Sequence, residues 1–255
     1  MGKQVQIRPA ATSHGRVLKR PSASKVKQPA TASGSTPKPC SELVAKGRPI
    51  FVSFPGAGGG RSRHKLLENL GTLTLCNFEG RPNLTTPDRE TPFLQQIVAA
   101  AAGVGASHGK RRPLYLVGHS FGGRAIVHAL GRRSIREQLP PNFSGALLFG
   151  YPLHHPTQRR QDALKAVPAE VPLLFISGTR DPFIGDFSLL GRTLSVPGLQ
   201  QAPVAGLSVS PARSTARARC CIVKVEGGDH GLACARALDS STDETILTAV
   251  RAFVR

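Results

Sequence analysis

The feature that most constrains this chain is the pentapeptide Gly-His-Ser-Phe-Gly at residues 118–122. An apolar run at 113–117 is typical of a buried strand, and residues 125–130, which follow the pentapeptide, are typical of a helix. A strand, a tight turn and a helix around G-x-S-x-G form the nucleophile elbow, which raises a serine hydroxyl above the edge of a sheet. Small residues at Gly118 and Gly122 let the backbone fold back tightly. A glycine-rich turn with an incidental serine is the alternative.

Strands and helices alternate along the rest of the chain. We predict strands at 49–54, 72–78, 113–117, 145–150, 171–178 and 220–225, and helices at 62–70, 92–106, 125–130 and 242–254. Thr91 or Asp88 is the expected cap of the helix at 92–106. This alternation predicts an α/β fold with a mostly parallel sheet of about six strands and helices on both faces.

The domain organisation follows from shifts in composition. Residues 1–46 are rich in Ser, Thr, Ala, Pro and Lys and have no periodic apolar pattern, so we predict a disordered basic tail. Residues 47–255 form the predicted domain. Within it, the proline- and glycine-containing segment 186–219 is predicted to be a flexible insertion with a weak helix near 187–194.

Positive charge dominates the composition, with 34 basic and 15 acidic residues and a formal net charge of +19. Residues 1–40 contain eight of the basic residues and no acidic ones. Such a charge favours contact with nucleic acid or an acidic protein through the tail, although arginine-rich residue usage alone is an equal alternative. Lys and Arg at 19–27 also resemble a loose nuclear-localisation cluster, and the acid-free tail also suits an organellar transit peptide.

The sequence lacks the marks of a membrane or secreted protein. No apolar run approaches the ~20 residues of a membrane span, and no signal-peptide core follows Met1. The five cysteines have no C-x-x-C spacing, which predicts reduced thiols and no zinc site. The adjacent His154 and His155 have no nearby carboxylate, so we predict neither a metal nor a cofactor. We expect an intracellular protein in the cytoplasm or nucleus, with organellar import as an open alternative.

Polar side chains follow three of the predicted strands. Ser120 follows the third strand, Asp181 the fifth, and His230 the sixth. Ligands of parallel α/β sheets bind at the carboxyl ends of the strands, so we expect these three residues at one edge. Their chain order Ser…Asp…His suits nucleophilic catalysis, with His230 as general base and Asp181 orienting its ring. Asp186 and Glu170 are rival acids, and Asp229 is assigned a structural hydrogen bond.

A glycine-rich loop at 55–60 follows the first strand. It is not a P-loop, because Arg61 and Ser62 stand where Lys and Ser or Thr are needed, and it lacks the third glycine of a dinucleotide-binding loop. We therefore predict that Ala57 supplies one backbone N–H of an oxyanion hole and Phe121 the other. A simple tight turn is the alternative. His119 is expected to pack, and His14, His64, His108 and His128 to be structural or exposed.

Beyond the elbow, the segments Gly-Tyr-Pro-Leu-His-His-Pro, Leu-Phe-Ile-Ser-Gly-Thr-Arg-Asp-Pro and Gly-Gly-Asp-His are informative. Together they resemble the α/β-hydrolase branch of testis-expressed protein 30 and subunit 3 of the non-specific-lethal chromatin complex, which is related to dienelactone hydrolases. The resemblance covers residues 48–255 except 186–219 and implies an α/β-hydrolase fold with Ser120, Asp181 and His230 as a triad. Pro55-Gly56-Ala57 stands where the family commonly has His-Gly-Ala.

Two functional hypotheses follow. The first is a serine hydrolase of esterase, thioesterase or dienelactone-hydrolase type that acts on a small acyl substrate through an acyl-enzyme. The second is a non-catalytic scaffold or chromatin-associated subunit, which the resemblance implies for some relatives and the charge of +19 favours.

Overall fold

The computed structural model describes residues 47–80, 83–109, 111–154, 160–194, 220–235 and 239–254. Its centre is one sheet of six strands in the order β2-β1-β3-β4-β5-β6, and every neighbouring pair is parallel. The strands are β1 (Ile50–Phe54), β2 (Thr72–Leu75), β3 (Leu114–His119), β4 (Phe143–Phe149), β5 (Leu173–Gly178) and β6 (Cys220–Val225). The predicted fold class is confirmed, with an all-parallel rather than mostly parallel sheet.

Helices connect the strands. They are a 3₁₀ helix (His64–Asn69), α1 (Pro87–His108), α2 (Phe121–Gly131), α3 (Arg133–Arg136), α4 (Arg160–Lys165), α5 (Phe187–Thr193) and α6 (Asp239–Phe253). Apolar side chains on the two faces of the sheet form two separate core clusters. One packs beneath α1, α2, α4 and α5, and the other beneath the 3₁₀ helix and α6. Helices on both faces bury the central strands, which explains their nearly continuous apolar sequences.

The strand order places a crevice beside the elbow. From β1 the chain adds β2 on one side and then returns to add β3 on the other. Loops that leave such neighbouring strands in opposite directions open a crevice at their carboxyl ends, where α/β proteins bind ligands. The loop at 55–60 and Ser120 follow these two strands, so the fold brings both to this crevice.

Several element boundaries differ from the predictions. Helix α1 begins at Pro87 rather than near residue 92, with Thr86 as its N-cap, so the predicted caps Thr91 and Asp88 were wrong. Proline suits the first helical turn, and Pro87 occupies that position while Pro92 is accommodated inside the helix. Strand β2 ends at Leu75, and the predicted helix at 62–70 is a shorter 3₁₀ helix. The short helices α3 and α4 were not predicted.

The domain boundaries stay predictions. The tail at 1–46 and most of the predicted insertion, residues 195–219, lie outside the described residues. The part of the insertion that is described contains α5, which matches the weak helix expected near 187–194. Within the described ranges, no helix is both long and apolar enough to cross a membrane.

Candidate active site

Ser120 lies in a strained turn between β3 and α2. Its φ of 48° and ψ of −106° are unusual for a residue with a side chain. The turn needs glycine on both sides: a Cβ on Gly118 would lie 2.4 Å from the nitrogen of Gly123, and one on Gly122 would lie 2.6 Å from the carbonyl oxygen of Phe54. The structure therefore has the geometry of the elbow that the sequence predicted.

Asp181 and His230 meet across the loops that follow β5 and β6. The His230 Nδ1–H donates to Asp181 Oδ2 at 2.9 Å, and the backbone N–H of Phe183 donates to Asp181 Oδ1 at 2.8 Å. The Asp181 side chain is fully buried, whereas that of His230 is 25% exposed. This bond places the proton on Nδ1 and leaves Nε2 as the basic nitrogen.

The rival carboxylates have other positions and partners. Asp186 caps α5, where its Oδ1 accepts the backbone N–H of Ser188 at 2.7 Å. Glu170 is exposed and precedes β5, at the opposite end of the strand from Asp181. Asp229 accepts the backbone N–H groups of Gly231 and Ala233, which is the structural role predicted for it.

Ser120 and His230 line the same cavity, which has a volume of about 340 Å³. Within the described part of the chain, no hydrogen bond joins the Ser120 hydroxyl to the His230 ring. Such bonds are often long in an empty site and shorten when substrate binds. The cavity wall also includes Phe183, whose ring contacts that of His230 with centroids 4.7 Å apart. Phe183 is 46% exposed and gives the site an apolar rim.

The two predicted oxyanion donors, Ala57 and Phe121, line this cavity as well. Phe121 is the first residue of α2, and the first N–H groups of a helix have no acceptor within it. The hydrogen bonds that close the loop at 55–60 use the N–H groups of Gly56 and Gly59 rather than that of Ala57. The Gly122 N–H donates to Pro55 O at 3.0 Å, which holds the loop against the elbow.

His119 has a more specific position than the simple packing expected of it. Its Nδ1 lies 3.0 Å from the carbonyl oxygen of Gly60, and its Nε2 lies 3.1 Å from that of His230. Burial lowers the pKa of His119, so the neutral ring dominates at neutral pH. His119 thus contacts both the glycine-rich loop and the His230 loop. Its place directly before Ser120 was the available sequence signal.

Two arginines also line the cavity, and sequence reasoning missed both. Arg124 lies in α2 four residues after Ser120, and Arg160 is the first residue of α4. The spacing of Arg124 from Ser120 was a usable signal, because residues four apart share a helix face. Arg160 could not be found in the same way, because α4 was not predicted.

Of the two histidines that follow β4, only His154 lies within the described residues. His154 is exposed, and its backbone N–H donates to Phe183 O at 2.8 Å. His155 lies outside the described residues. In the ranges that the structure covers, no group of three or more His, Cys, Asp or Glu side chains is placed to hold a metal ion.

Comparison with known proteins agrees with this architecture. Residues 79–198 match the model of an α/β hydrolase domain family, a segment that includes Ser120 and Asp181 and ends before His230. A search of curated protein sequences found no match.

Several solved structures share the fold. An alpha-beta serine hydrolase homologue from Coxiella burnetii is 15% identical, with a TM-score of 0.50 over 80% of this chain and 88% of that one. A structure reported for the metagenome-derived lipolytic enzymes LipS and LipT is 15% identical, with a TM-score of 0.50 over 81% and 94%. Est1E from Butyrivibrio proteoclasticus is 14% identical, with a TM-score of 0.50 over 82% and 91%. From its sheet topology and these similarities, we conclude that the chain has the α/β-hydrolase fold.

Proposed function

We propose that this protein is a serine hydrolase that cleaves ester or thioester bonds of small acyl substrates. The observation that carries the proposal is the hydrogen bond from His230 Nδ1 to buried Asp181, with His230 and Ser120 on the wall of one cavity. The lipolytic and esterase names of the similar structures support the same class. The narrower resemblance to the testis-expressed protein 30 branch stays a prediction.

Acylation begins at the Ser120 hydroxyl. His230 Nε2 takes its proton as the oxygen attacks the substrate carbonyl carbon, and the carbonyl π electrons move to the oxygen. The backbone N–H groups of Phe121 and Ala57 donate to the resulting oxyanion. Asp181 stabilises the imidazolium of His230. Collapse of the tetrahedral intermediate breaks the bond to the leaving alcohol or thiol, which takes the proton from Nε2.

Deacylation repeats these steps with water. His230 Nε2 accepts a proton from a water molecule, whose oxygen attacks the carbonyl of the acyl-Ser120 ester. The second tetrahedral intermediate expels the Ser120 oxygen, which recovers its proton from His230, and the carboxylic acid leaves. Phe183, half exposed beside His230, offers an apolar contact for the acyl or leaving group.

The test is hydrolysis of a panel of short-chain esters and thioesters by the full chain. We expect Ser120→Ala to reduce kcat by about 10³-fold or more, because loss of a nucleophile removes the covalent route. Ser134→Ala is the matched control, since Ser134 is exposed on α3. Equal activity of the wild type and Ser120→Ala would contradict the proposal.

The alternative, a scaffold that binds nucleic acid or an acidic protein, rests on the net charge of +19. Binding of this kind releases counterions and weakens steeply as salt rises. Titration of the full chain with duplex DNA and with an acidic peptide at 50 and 300 mM salt tests it. Salt-sensitive binding together with an inactive Ser120 would favour the scaffold over the hydrolase.

A further inference from the structure

The loop that carries His230 (the His230 loop) follows β6 and runs through residues 226–235. Every residue of this loop is described, and none lies in a helix or strand. A general base has to stay within hydrogen-bond reach of the group from which it takes a proton. Contacts between the His230 loop and the rest of the fold therefore decide whether the imidazole is held in a catalytic position.

Two successive carbonyl groups of the His230 loop accept hydrogen bonds from side chains that precede the 3₁₀ helix. Ser62 Oγ donates to Gly231 O at 2.6 Å, and Arg63 Nε donates to Leu232 O at 3.0 Å. The partners in each bond are 169 positions apart in the chain, so only the fold brings them together. The two carbonyls come directly after that of His230, and the bonds therefore hold the loop immediately beyond the proposed base.

Arg63 also joins the His230 loop to α6. Its Nη2 donates to Asp239 Oδ1 at 2.6 Å, and its Nη1 donates to Asp243 Oδ1. The Arg63 side chain is only 17% exposed, and charge-assisted hydrogen bonds are about twice as strong as neutral ones. The planar guanidinium binds the carbonyl through one nitrogen and the two carboxylates through the others. Arg63 therefore ties the loop to the helix that follows it.

The backbone on both sides of these bonds is strained. Ser62 has a φ of 51° and Leu232 a φ of 61°, in a region that residues with a side chain rarely adopt. In the part of the chain that the structure describes, the one other non-glycine residue with a positive φ is Ser120. Such strain persists where surrounding contacts fix the conformation, and it clusters at functional sites. This distribution favours a functional role for the contact over a purely structural one.

We propose that Arg63 and Ser62 are positioning residues, which hold the His230 loop so that its imidazole stays within reach of Ser120. The inference rests on the proposed hydrolase function, because it concerns the base of the same reaction. Neither side chain is among the described residues that line the Ser120 cavity, so we expect them not to contact substrate. Their loss should lower kcat and leave KM nearly unchanged. We expect Arg63→Gln to lower kcat by about 10- to 100-fold, because a displacement of about 1 Å has effects of this size.

Arg48 is the matched control for Arg63, because it binds backbone carbonyls at the other end of the 3₁₀ helix. Its Nε donates to Leu70 O at 3.1 Å, and its Nη2 donates to Asn69 O at 2.9 Å. Arg48 precedes β1, whereas the active-site loops follow the strands, so it lies at the opposite edge of the sheet. Arg48→Gln should lower the free energy of unfolding in urea and keep the wild-type kcat. A purely structural Arg63 would behave in the same way.

Two further variants separate positioning from stability. Ser62→Gly removes the hydroxyl that binds Gly231 O, but glycine adopts a φ of 51° without strain, which should offset the lost bond in the free energy of unfolding. We expect its kcat to fall by about 3- to 10-fold, in line with the loss of one hydrogen bond. Arg63→Lys keeps the charge that faces Asp239 and Asp243 but lacks the Nε–H, so it should restore more of the stability than of kcat.

A spectroscopic readout does not need turnover. The full chain is labelled with ¹⁵N-histidine, and the imidazole N–H signal of His230, which is hydrogen-bonded to Asp181, is assigned by its loss in His230→Gln. We expect this signal to be retained in Arg48→Gln and broadened or lost in Arg63→Gln, because a mobile His230 loop lets the proton exchange with water.

The variants are compared by steady-state hydrolysis of the best substrate from the ester and thioester panel. Lower kcat in Arg63→Gln and Ser62→Gly, with wild-type kcat in Arg48→Gln, supports the proposal. Equal kcat for Arg63→Gln and Arg48→Gln overturns it. If Arg63→Gln does not fold, Ser62→Gly decides the question by itself, and wild-type kcat in that variant overturns the proposal. An active wild type with an insensitive Arg63 and Ser62 overturns only this inference, whereas an unreactive Ser120 in the wild type overturns the proposed function itself.

Discussion

His119 Nε2 lies 3.1 Å from the backbone carbonyl oxygen of His230, so the residue before the proposed nucleophile contacts the residue proposed as its base. The other ring nitrogen lies 3.0 Å from Gly60 O. A neutral imidazole has one N–H, so it donates to one of these carbonyls at a time. The ring spans the two loops that face Ser120 from either side.

We predict that His119→Ala lowers kcat for ester or thioester hydrolysis by about 10- to 100-fold, because small displacements of catalytic groups have effects of this size. His119→Gln, which keeps one donor, should recover part of the loss. Steady-state kinetics and urea unfolding of each variant separate a positioning effect from a loss of stability. His154→Ala is the control, since His154 is exposed. Equal kcat for His119→Ala and wild type would contradict the prediction.

The second prediction concerns the carboxylate of Asp181. Asp181→Asn removes the charge that stabilises the His230 imidazolium and favours the wrong tautomer, so we expect kcat to fall by about 10³- to 10⁴-fold with little change in KM. Asp186→Asn is the matched control, because asparagine is as good an N-cap as aspartate. The prediction fails if both variants retain wild-type kcat.

The glycines of the elbow should be intolerant of a methyl group. Gly122→Ala places a Cβ 2.6 Å from Phe54 O, and we expect it to lower the free energy of unfolding by about 1–3 kcal/mol or more. Gly103→Ala is the matched control within α1, because a Cβ there meets no atom within 4 Å. It should raise stability by about 0.5–1 kcal/mol. Urea unfolding measures the free energy of unfolding of both variants. Equal changes in Gly122→Ala and Gly103→Ala would contradict the account of the elbow.

Acid should destabilise the fold through its buried histidines. His64 is buried, its Nδ1 lies 2.7 Å from Ser53 Oγ, and desolvation holds its pKa well below 6.5. The unfolded chain therefore binds more protons than the folded one below pH 6.5. Above pH 6.5 these histidines do not lower the free energy of unfolding. Below it, the free energy of unfolding falls by up to about 1.4 kcal/mol per pH unit for each such histidine.

Urea unfolding at pH 7.5, 6.5 and 5.5 measures this slope. His64→Gln should unfold with a shallower pH dependence than the wild type, whereas His154→Gln should keep the full slope. A free energy of unfolding that does not change between pH 7.5 and 5.5 would rule out the assigned role of His64.

Much of the fold was predictable because the strands are short apolar runs between turn residues. Strand β6, Cys220–Val225, was predicted with its observed bounds. The positions of Ser120, Asp181 and His230 after three different strands predicted that they lie at one edge of the sheet. That inference needed only the parallel topology, because parallel strands end at one side of the sheet.

The parts that the sequence did not reveal depend on tertiary contacts. Helix α4 is six residues long, so its apolar periodicity is too short to recognise, and the place of Arg160 beside Ser120 depends on it. The bonds of His119 join residues far apart in the chain, which no local pattern encodes. The predicted start of α1 at residue 92 lies five residues after its observed start at Pro87.

Labelling of the full chain by a fluorophosphonate probe tests the central claim most directly, since the probe reacts covalently with an activated serine. Intact-mass analysis and peptide mapping locate the adduct in the wild type, Ser120→Ala and the control Ser134→Ala. We predict one adduct on Ser120 in the wild type and in Ser134→Ala, and none in Ser120→Ala. A folded wild-type protein that stays unlabelled, or an adduct that persists in Ser120→Ala, would contradict the assignment of Ser120 as the nucleophile.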